Sequence, residues 1–134
     1  CIMDALKDAN IKGTEIDAIN GHLTATVKDS TEIESWTKAL GREGKDFPVI
    51  NSLKSMVGHC LAASASIENV ATVLQLKHQF VFPNLNCEVI HPEILKLISK
   101  EKIPTKRIEK KLNIIAKASF GFGDVNGCVI FKKY

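Results

Sequence analysis

The chain has 134 residues, of which 45% are hydrophobic and 25% are charged, and its net charge is +3; these values are typical of one globular domain with one core. The mild charge and the few aromatic residues exclude a dedicated nucleic-acid surface, and no apolar run approaches the roughly 20 residues of a membrane-spanning helix. The four cysteines form no closely spaced pair, so we expect reduced thiols and a cytoplasmic location.

The chain opens inside a helix. Apolar residues recur at helical spacing over Cys1–Asn10, and there is no initiator Met. We therefore expect a piece of a longer protein whose other half is absent. A short alternating strand is predicted at Ile16–Asn20, and the polar stretch Gly21–Asp29 is predicted to be a loop at its carboxyl end.

The middle of the chain carries two more helices and a strand. The helices are predicted over Ser30–Leu40 and His59–His78, and the strand is predicted over Phe47–Asn51. Apolar residues surround most of the circumference of the last helix, which is typical of a helix buried between two layers. One of those layers would come from the absent half.

The last part of the chain ends in a predicted hairpin. Short elements at Phe80–Phe82 and Pro92–Ser99 precede the strands Leu112–Ala118 and Gly127–Lys132, which the glycine-rich connection Ser119–Asn126 joins. Alternating helices and strands of this kind predict an α/β fold with a mixed sheet, as one domain over residues 1–134.

Three loops carry polar residues suited to chemistry. In open α/β sheets, sites gather beyond the carboxyl ends of the strands. The first loop holds His22, a possible base or donor, with the hydroxyls of Thr24 and Thr26, which suit a carboxylate. An ordinary turn is the alternative.

The second loop places Lys54 and His59 around the start of the longest predicted helix. The amino end of a helix disfavours imidazolium, so we expect His59 to be neutral and able to donate a hydrogen bond. A buried Glu68 on that helix needs a partner, and Lys54 is a candidate. The alternative is that Glu68, Asn69 and Thr72 form the solvated stripe of the helix.

The third loop combines Gly121 and Gly123 with Phe120 and Phe122. Glycine permits positive φ and close approach to a ligand, and the phenylalanines could open or close a pocket. A hairpin connection anchored to the core is the alternative. No spacing of cysteine and histidine suits zinc, so no metal is expected, and the basic segment Lys100–Lys111 is read as a solvated face or, alternatively, a contact for an acidic protein.

Together the three loops resemble the β-ketoacyl-acyl carrier protein synthases that use a Cys–His–His triad, within the thiolase-like superfamily. The likeness runs from about Ala5 to Phe131 and identifies the chain as a carboxy-terminal half. It implies a thiolase-like half-domain: a mixed sheet with helices on both faces, one of them buried between layers in the intact enzyme. The motifs, in chain order, are His22-x-Thr24-x-Thr26, Lys54-Ser-Met-x-Gly-His59 and Ser119-Phe-Gly-Phe-Gly-x-x-Asn126-Gly127.

The resemblance implies an acyltransferase, a 3-oxoacyl-[acyl carrier protein] synthase. Such enzymes join an acyl thioester to malonyl-acyl carrier protein by decarboxylative Claisen condensation, in fatty-acid or polyketide biosynthesis. By resemblance, His22 and His59 donate hydrogen bonds to the malonyl thioester oxygen, and Lys54 orients the site. The implied substrate-binding residues are Thr24, Thr26, Phe120 and Phe122, and the implied supporting residues are Glu68, Gly121, Gly123 and Asn126.

The resemblance also implies what the chain lacks and what it binds. None of its four cysteines matches the family's nucleophile, which belongs to the amino-terminal half, so we expect the chain alone to be inactive. No cofactor is implied, because phosphopantetheine arrives on the acyl carrier protein. The implied partners are that carrier protein, the amino-terminal half, and a second subunit in a homodimer or heterodimer.

Several positions depart from the family's usual residues and indicate a divergent subgroup. Leu23 stands in place of glycine, Leu53 in place of threonine, and Asp124 and Val125 in place of glycine and threonine. Three alternatives stay open: a non-catalytic synthase subunit such as a chain-length factor, a thiolase-like enzyme acting on coenzyme A esters, and a stand-alone interaction module.

Overall fold

The computed structural model describes all 134 residues and contains five helices and six strands. The helices span Ile2–Asp8 (α1), Lys28–Leu40 (α2), Lys54–Val57 (α3), Ser64–His78 (α4) and Pro92–Leu97 (α5). The strands span Ala18–Asn20 (β1), Val49–Asn51 (β2), Phe80–Val81 (β3), Ile108–Glu109 (β4), Ile114–Phe120 (β5) and Asn126–Lys132 (β6).

The main sheet has four strands in the order β2-β1-β5-β6. Strand β1 runs parallel to β2 and β5, and β6 returns antiparallel to β5. The α/β fold with a mixed sheet is therefore confirmed. Because β1, β2 and β5 are parallel, their carboxyl ends lie at one edge of the sheet, and the three loops singled out in the sequence all leave from that edge.

Helices cover both faces of the sheet, as predicted. Helices α1 and α2 pack on one face, around the fully buried side chains of Trp36 and Phe47. Helix α4 covers the other face, where Leu76 packs with Ala18 and Ile115 of the sheet. Because α4 contacts β5 directly, any polar residue between them needs a partner.

Helix α4 turns its polar side toward the sheet and its apolar side outward. Glu68, Thr72 and Gln75 are at most 1% exposed. The exposed apolar side chains, Ile67, Val70, Val73 and Leu74, lie on the other side. The reading of Glu68 and Thr72 as a solvated stripe is therefore wrong, because these residues bond to groups of the sheet.

The longest helix begins at Ser64, five residues later than predicted. The segment after α3 cannot continue a helix, since Gly58 has φ +77° and Leu61 has φ +50°, and a short 3-10 turn spans Leu61–Ala63. His59 consequently lies in a connection between two helices and does not open the buried one. The argument from the helix amino end therefore does not apply to His59.

Other helix and strand boundaries differ from the predicted ones by a few residues. Helix α2 begins at Lys28 and takes in Asp29, which the sequence placed in the preceding loop. Strands β5 and β6 extend into the glycine-rich connection, which shortens to a turn around Phe122–Asp124. An unpredicted strand, β4, pairs with β3 in a separate two-stranded sheet. No helix combines the length and the apolar character needed to cross a membrane.

Candidate active site

A row of three buried polar residues crosses the sheet beneath α4. Asn20 is aligned with Asn51 on β2 and with Lys117 on β5. All three are at most 2% exposed. Side chains alternate between the faces of a strand, so this shared register places all three on the α4 face.

The polar side of α4 meets this row. The Asn20 amide donates to the Glu68 carbonyl at 3.2 Å and to the Thr72 hydroxyl at 3.0 Å. The Asn51 amide donates to Gln75 Oε1 at 2.8 Å. These bonds fix the rotation of α4 about its own axis and so the direction of the Glu68 side chain.

Glu68 lies between two lysines in a group that we call the buried ion triad, Lys54, Glu68 and Lys117. Lys54 Nζ lies 2.5 Å from Glu68 Oε1 and donates a hydrogen bond to it. Lys117 Nζ lies 2.5 Å from Glu68 Oε2 in an ion pair outside hydrogen-bond geometry. The Lys117 ammonium donates instead to the Ala118 carbonyl at 2.6 Å and to the Ser119 hydroxyl.

His22 follows β1 in a loop that a buried carboxylate holds in place. Glu32 of α2 accepts the backbone N–H groups of His22 and Leu23, each at 2.8 Å, and the indole N–H of Trp36 at 3.3 Å. A Cβ at Gly21 would lie 2.8 Å from Glu32 Oε1. The close approach of the loop to Glu32 therefore requires glycine at that position.

The surroundings of His22 keep its imidazole neutral. Burial is the main reason why the pKa of His22 is lowered to about 4, and the charges of Lys54, His59 and Lys117 act in the same direction. The carboxylate of Glu68 opposes them. A neutral imidazole can donate one hydrogen bond without first losing a proton.

His59 faces His22 edge to face, with ring centroids 5.4 Å apart. Its Nδ1 accepts the backbone N–H of Leu61 at 3.0 Å and lies 3.1 Å from the Ser64 hydroxyl. Because Nδ1 acts as an acceptor, a neutral His59 carries its proton on Nε2. The short connection before α4 thus selects the tautomer that can donate from Nε2.

The two threonines of the first loop contact each other. Thr24 Oγ1 lies 3.2 Å from Thr26 Oγ1. The carboxylate of Asp29 accepts the backbone N–H groups of Thr24, Ala25 and Thr26, so it shapes this turn. Thr26 is exposed and Thr24 half-buried, so neither residue is closed off from solvent.

The two phenylalanines of the third loop have different surroundings. Phe120 packs against the α1–α2 core and meets the His22 ring edge-on at 6.1 Å. Phe122 is fully exposed, and the structure does not bring it to the histidines. Gly121 donates its N–H to the Val125 carbonyl, and Gly123 has φ +74°, so the glycines make the tight turn that presents Phe122. Asn126 is exposed and pairs with Phe120 across the hairpin.

The structure brings together His22, His59, Lys54 and Glu68, and it adds residues that the sequence reading missed. Lys117 had a visible signal, since it is the only charge inside the apolar run from Leu112 to Ala118. Glu32 was read only as part of a helix start. No three or more His, Cys, Asp or Glu side chains are grouped to hold a metal ion.

Comparison with known proteins gives relatives along the whole chain. Residues 1–88 match the family described as "Beta-ketoacyl synthase, C-terminal domain". The chain is 38% identical over 130 residues to a 3-oxoacyl-[acyl-carrier-protein] synthase 2 of Vibrio harveyi, covering 96% of this chain and 30% of the relative. It is 31% identical over 135 residues to the chloroplastic 3-oxoacyl-[acyl-carrier-protein] synthase I of Arabidopsis thaliana, covering 100% of this chain and 27% of that relative.

Solved structures share the fold. The ishigamide ketosynthase/chain length factor superposes with a TM-score of 0.89 at 28% identity, over 99% of this chain and 32% of that one. A type II polyketide ketosynthase in complex with its acyl-carrier protein superposes with a TM-score of 0.85 at 32% identity, over 100% of this chain and 32% of that one. The fold is therefore thiolase-like, and the chain spans about a third of the length of these relatives.

Proposed function

This chain belongs to the β-ketoacyl synthase family, as a carboxy-terminal domain, and we propose that it supplies the histidine side of a 3-oxoacyl-[acyl carrier protein] synthase. The reaction is a decarboxylative Claisen condensation in fatty-acid or polyketide synthesis. Malonyl-acyl carrier protein loses carbon dioxide as its carbon–carboxylate bond breaks, and the resulting enolate attacks an acyl thioester of an enzyme cysteine. A carbon–carbon bond forms, and the cysteine thiolate leaves.

The observation that carries this proposal is the pair of facing histidines, His22 and His59. The surroundings of His22 disfavour its charged form, and the contacts of His59 leave Nε2 as its donor. Two imidazole donors side by side suit a thioester oxygen that gains negative charge as the enolate forms. A pair of imidazolium ions this close would repel each other.

The other residues have supporting roles in the proposed mechanism. Lys54, fixed by Glu68, holds positive charge beneath the two rings. The hydroxyls of Thr24 and Thr26, which lie 3.2 Å apart, hold the malonyl carboxylate. Phe122 gates access from its exposed turn. The presence of both histidines and Lys54 on this chain favours a catalytic subunit over a silent chain-length factor.

The proposed enzyme needs a second half-domain, which would bring the nucleophilic cysteine. The apolar outer side of α4 supports this, since Val70 is 62% exposed and Val73 47% exposed on a helix whose polar side is buried. A layer laid on that side would bury α4 on both sides. Among the superposed structures, one holds a ketosynthase with its acyl-carrier protein, and we propose the same class of partner here, delivering its substrates on phosphopantetheine.

The test separates the two half-reactions in the longer protein that joins this domain to its amino-terminal half. His59→Ala is expected to lower malonyl decarboxylation about 10²–10³-fold, the usual effect of removing one preorganised donor. Acyl transfer to the cysteine is expected to suffer less, because its charge develops at another oxygen. Carbon dioxide release and acyl-enzyme formation are measured separately.

His78→Ala is the matched control, since His78 ends α4 on the exposed surface. It is expected to leave both half-reactions unchanged. If His59→Ala keeps decarboxylation near the unchanged rate in a folded protein, His59 has only a structural role and the proposed function of the histidine pair is wrong.

A further inference from the structure

Lys117 is a buried cation that the mechanism above does not use. It lies in the middle of β5, is 2% exposed, and its ammonium is 2.5 Å from Glu68 Oε2. Burial lowers the pKa of Lys117, and the neighbouring Glu68 carboxylate opposes that shift. A lysine in such a place is costly unless its ammonium is paired.

The contacts of Lys117 match those of a charged ammonium. Its ammonium donates hydrogen bonds to the Ala118 carbonyl and the Ser119 hydroxyl, and it forms an ion pair with the Glu68 carboxylate. Moreover, Asn20, its register partner on β1, has a buried Oδ1 without a hydrogen-bond partner. This end of the sheet therefore offers oxygen atoms to a cation.

The charge of the buried ion triad does not cancel. Glu68 provides one negative charge, and Lys54 and Lys117 provide two positive ones, from opposite sides of the carboxylate. The triad therefore keeps a net positive charge close to His22. Electrostatic interactions are stronger among buried groups than in water, and the charges of Lys54 and Lys117 reach His22, whose pKa they lower.

We propose that Lys117 is a positioning residue of this site, which fixes the Glu68 carboxylate from the side opposite Lys54 and gives the buried ion triad the positive charge that favours an anionic substrate centre. It ties α4 to the end of β5, from which the turn bearing Phe122 departs. The identity of the anion, a malonyl thioester and its enolate, rests on the function proposed above. The placement of Lys117 and its effect on His22 do not.

The first measurement follows the His22 ring by NMR in the full chain as the pH is lowered. The charged and titratable groups that face His22 are Lys54, His59, Glu68 and Lys117, with Glu32 behind its backbone. Removing one cation should ease protonation of His22, so Lys117→Gln and Lys117→Met are expected to raise its titration midpoint. Lys132→Met, on the exposed surface of the same hairpin, is the control and should leave the midpoint in place.

The second measurement is malonyl decarboxylation in the longer protein. Lys117→Gln keeps hydrogen-bonding groups but loses the charge, and it is expected to slow carbon dioxide release roughly tenfold, as one lost charge does over about 12 Å at an effective dielectric of about 20. Acyl transfer is expected to change much less. Lys117→Ala should be partly restored by propylammonium, which replaces the missing atoms, and not by tetramethylammonium, which carries the charge without N–H donors.

The outcomes separate the two proposals. If the unchanged longer protein fails to decarboxylate malonyl thioesters, the proposed function is wrong, and the His22 titration alone decides the role of Lys117. An unmoved His22 midpoint in both Lys117→Gln and Lys117→Met overturns the proposal. The proposal is also overturned if Lys117→Gln decarboxylates within twofold of the rate of the protein without substitutions. The same holds if propylammonium does not restore decarboxylation in a folded Lys117→Ala protein.

Discussion

At the scale of single residues, the position of His22 depends on Glu32, a side chain that never touches its ring. The Glu32 carboxylate accepts two consecutive backbone N–H groups, of His22 and Leu23, and thereby fixes where the loop leaves β1. Burial raises the pKa of Glu32, and the N–H donors of the loop act in the opposite direction. The carboxylate therefore fixes the loop backbone, and the N–H groups of the loop stabilise the charged form of the carboxylate.

We expect Glu32→Gln to lower the free energy of unfolding by about 1–3 kcal/mol, because one amide N–H₂ would then face a backbone N–H and leave a buried donor without a partner. Glu34→Gln is the control on the same helix. Glu34 pairs with Lys38 on the surface, and such pairs contribute about 0–1 kcal/mol. Urea unfolding of the two variants checks this. Equal losses would mean that Glu32 does not hold the loop.

His22 makes the stability depend on pH. Its pKa of about 4 in the folded chain lies below the ordinary value of 6.5, so the unfolded chain binds the proton more readily. The stabilisation that results is fully present above about pH 6.5 and is lost as the pH falls toward 4. Because His22 is only half-buried, we discount the loss between pH 6.5 and 5 to about 1 kcal/mol.

Denaturant unfolding at pH 6.5 and at pH 5 measures this loss of stability. His22→Gln should remove it, since glutamine does not titrate, while His78→Gln should keep it. A His22→Gln variant with the same pH dependence as the unchanged chain would show that other groups are responsible.

At the scale of elements, α4 shows what a sequence pattern can and cannot predict. Apolar residues around most of the helix predicted that two layers would cover it, and the structure shows which side faces the sheet. The starting residue was wrong because helix-forming residues such as Leu61 and Ala62 continue the pattern. The helix is interrupted by the left-handed backbone of Leu61 and by the hydrogen bond from the Leu61 N–H to His59 Nδ1. A hydrophobic periodicity reveals neither feature.

Because α4 buries its polar side, a substitution of a polar residue on that side should lower stability more than a substitution of an exposed apolar residue. Gln75→Leu replaces a polar residue by an apolar one of similar size, but it deprives the Asn51 amide and the Phe82 N–H of their acceptor. We expect a loss of about 1–3 kcal/mol. Val73→Thr, on the exposed side of the same helix, should change the stability of this chain by less than about 0.5 kcal/mol.

Chemical denaturation of the two variants decides the point. If Val73→Thr is the more harmful, α4 packs on the sheet through its apolar side, contrary to the structure. Circular dichroism of each variant is needed first, to establish that the helix content is unchanged.

At the scale of the whole molecule, the fold class followed from the sequence, and the details of the sheet did not. The alternation of elements and the three motifs predicted a mixed α/β sheet with helices on both faces. The pairing of β3 with β4 was missed because Ile108–Glu109 lies in a charged stretch, and its partner is two residues long. In the site, the motif residues and the supporting Glu68 were named from the sequence, whereas Glu32 and Lys117 were not, because they act through contacts distant in sequence.

The outer side of α4 should make this chain associate or bind apolar molecules. Exposed Val70, Val73 and Leu74 form a continuous apolar surface, and such surfaces mark interfaces. We expect fluorescence of a hydrophobic dye to rise on binding and the mass in solution to exceed that of a monomer. The double variant Val70→Thr/Val73→Thr should lower both. A monomer that binds little dye would argue against a second layer on this side.

The polar row of Asn20, Asn51 and Lys117 also guards the alignment of the strands during folding. Side chains alternate between faces, so a slip of β1 by one residue would turn Asn20 into the apolar layer around Trp36 and bring Ile19 beneath α4. The Asn20 amide would then be buried without its partners, the Glu68 carbonyl and the Thr72 hydroxyl. Strands of three residues have few other contacts to fix their alignment. The Asn20 amide that supports the site therefore also disfavours a pairing of β1 that is shifted by one residue.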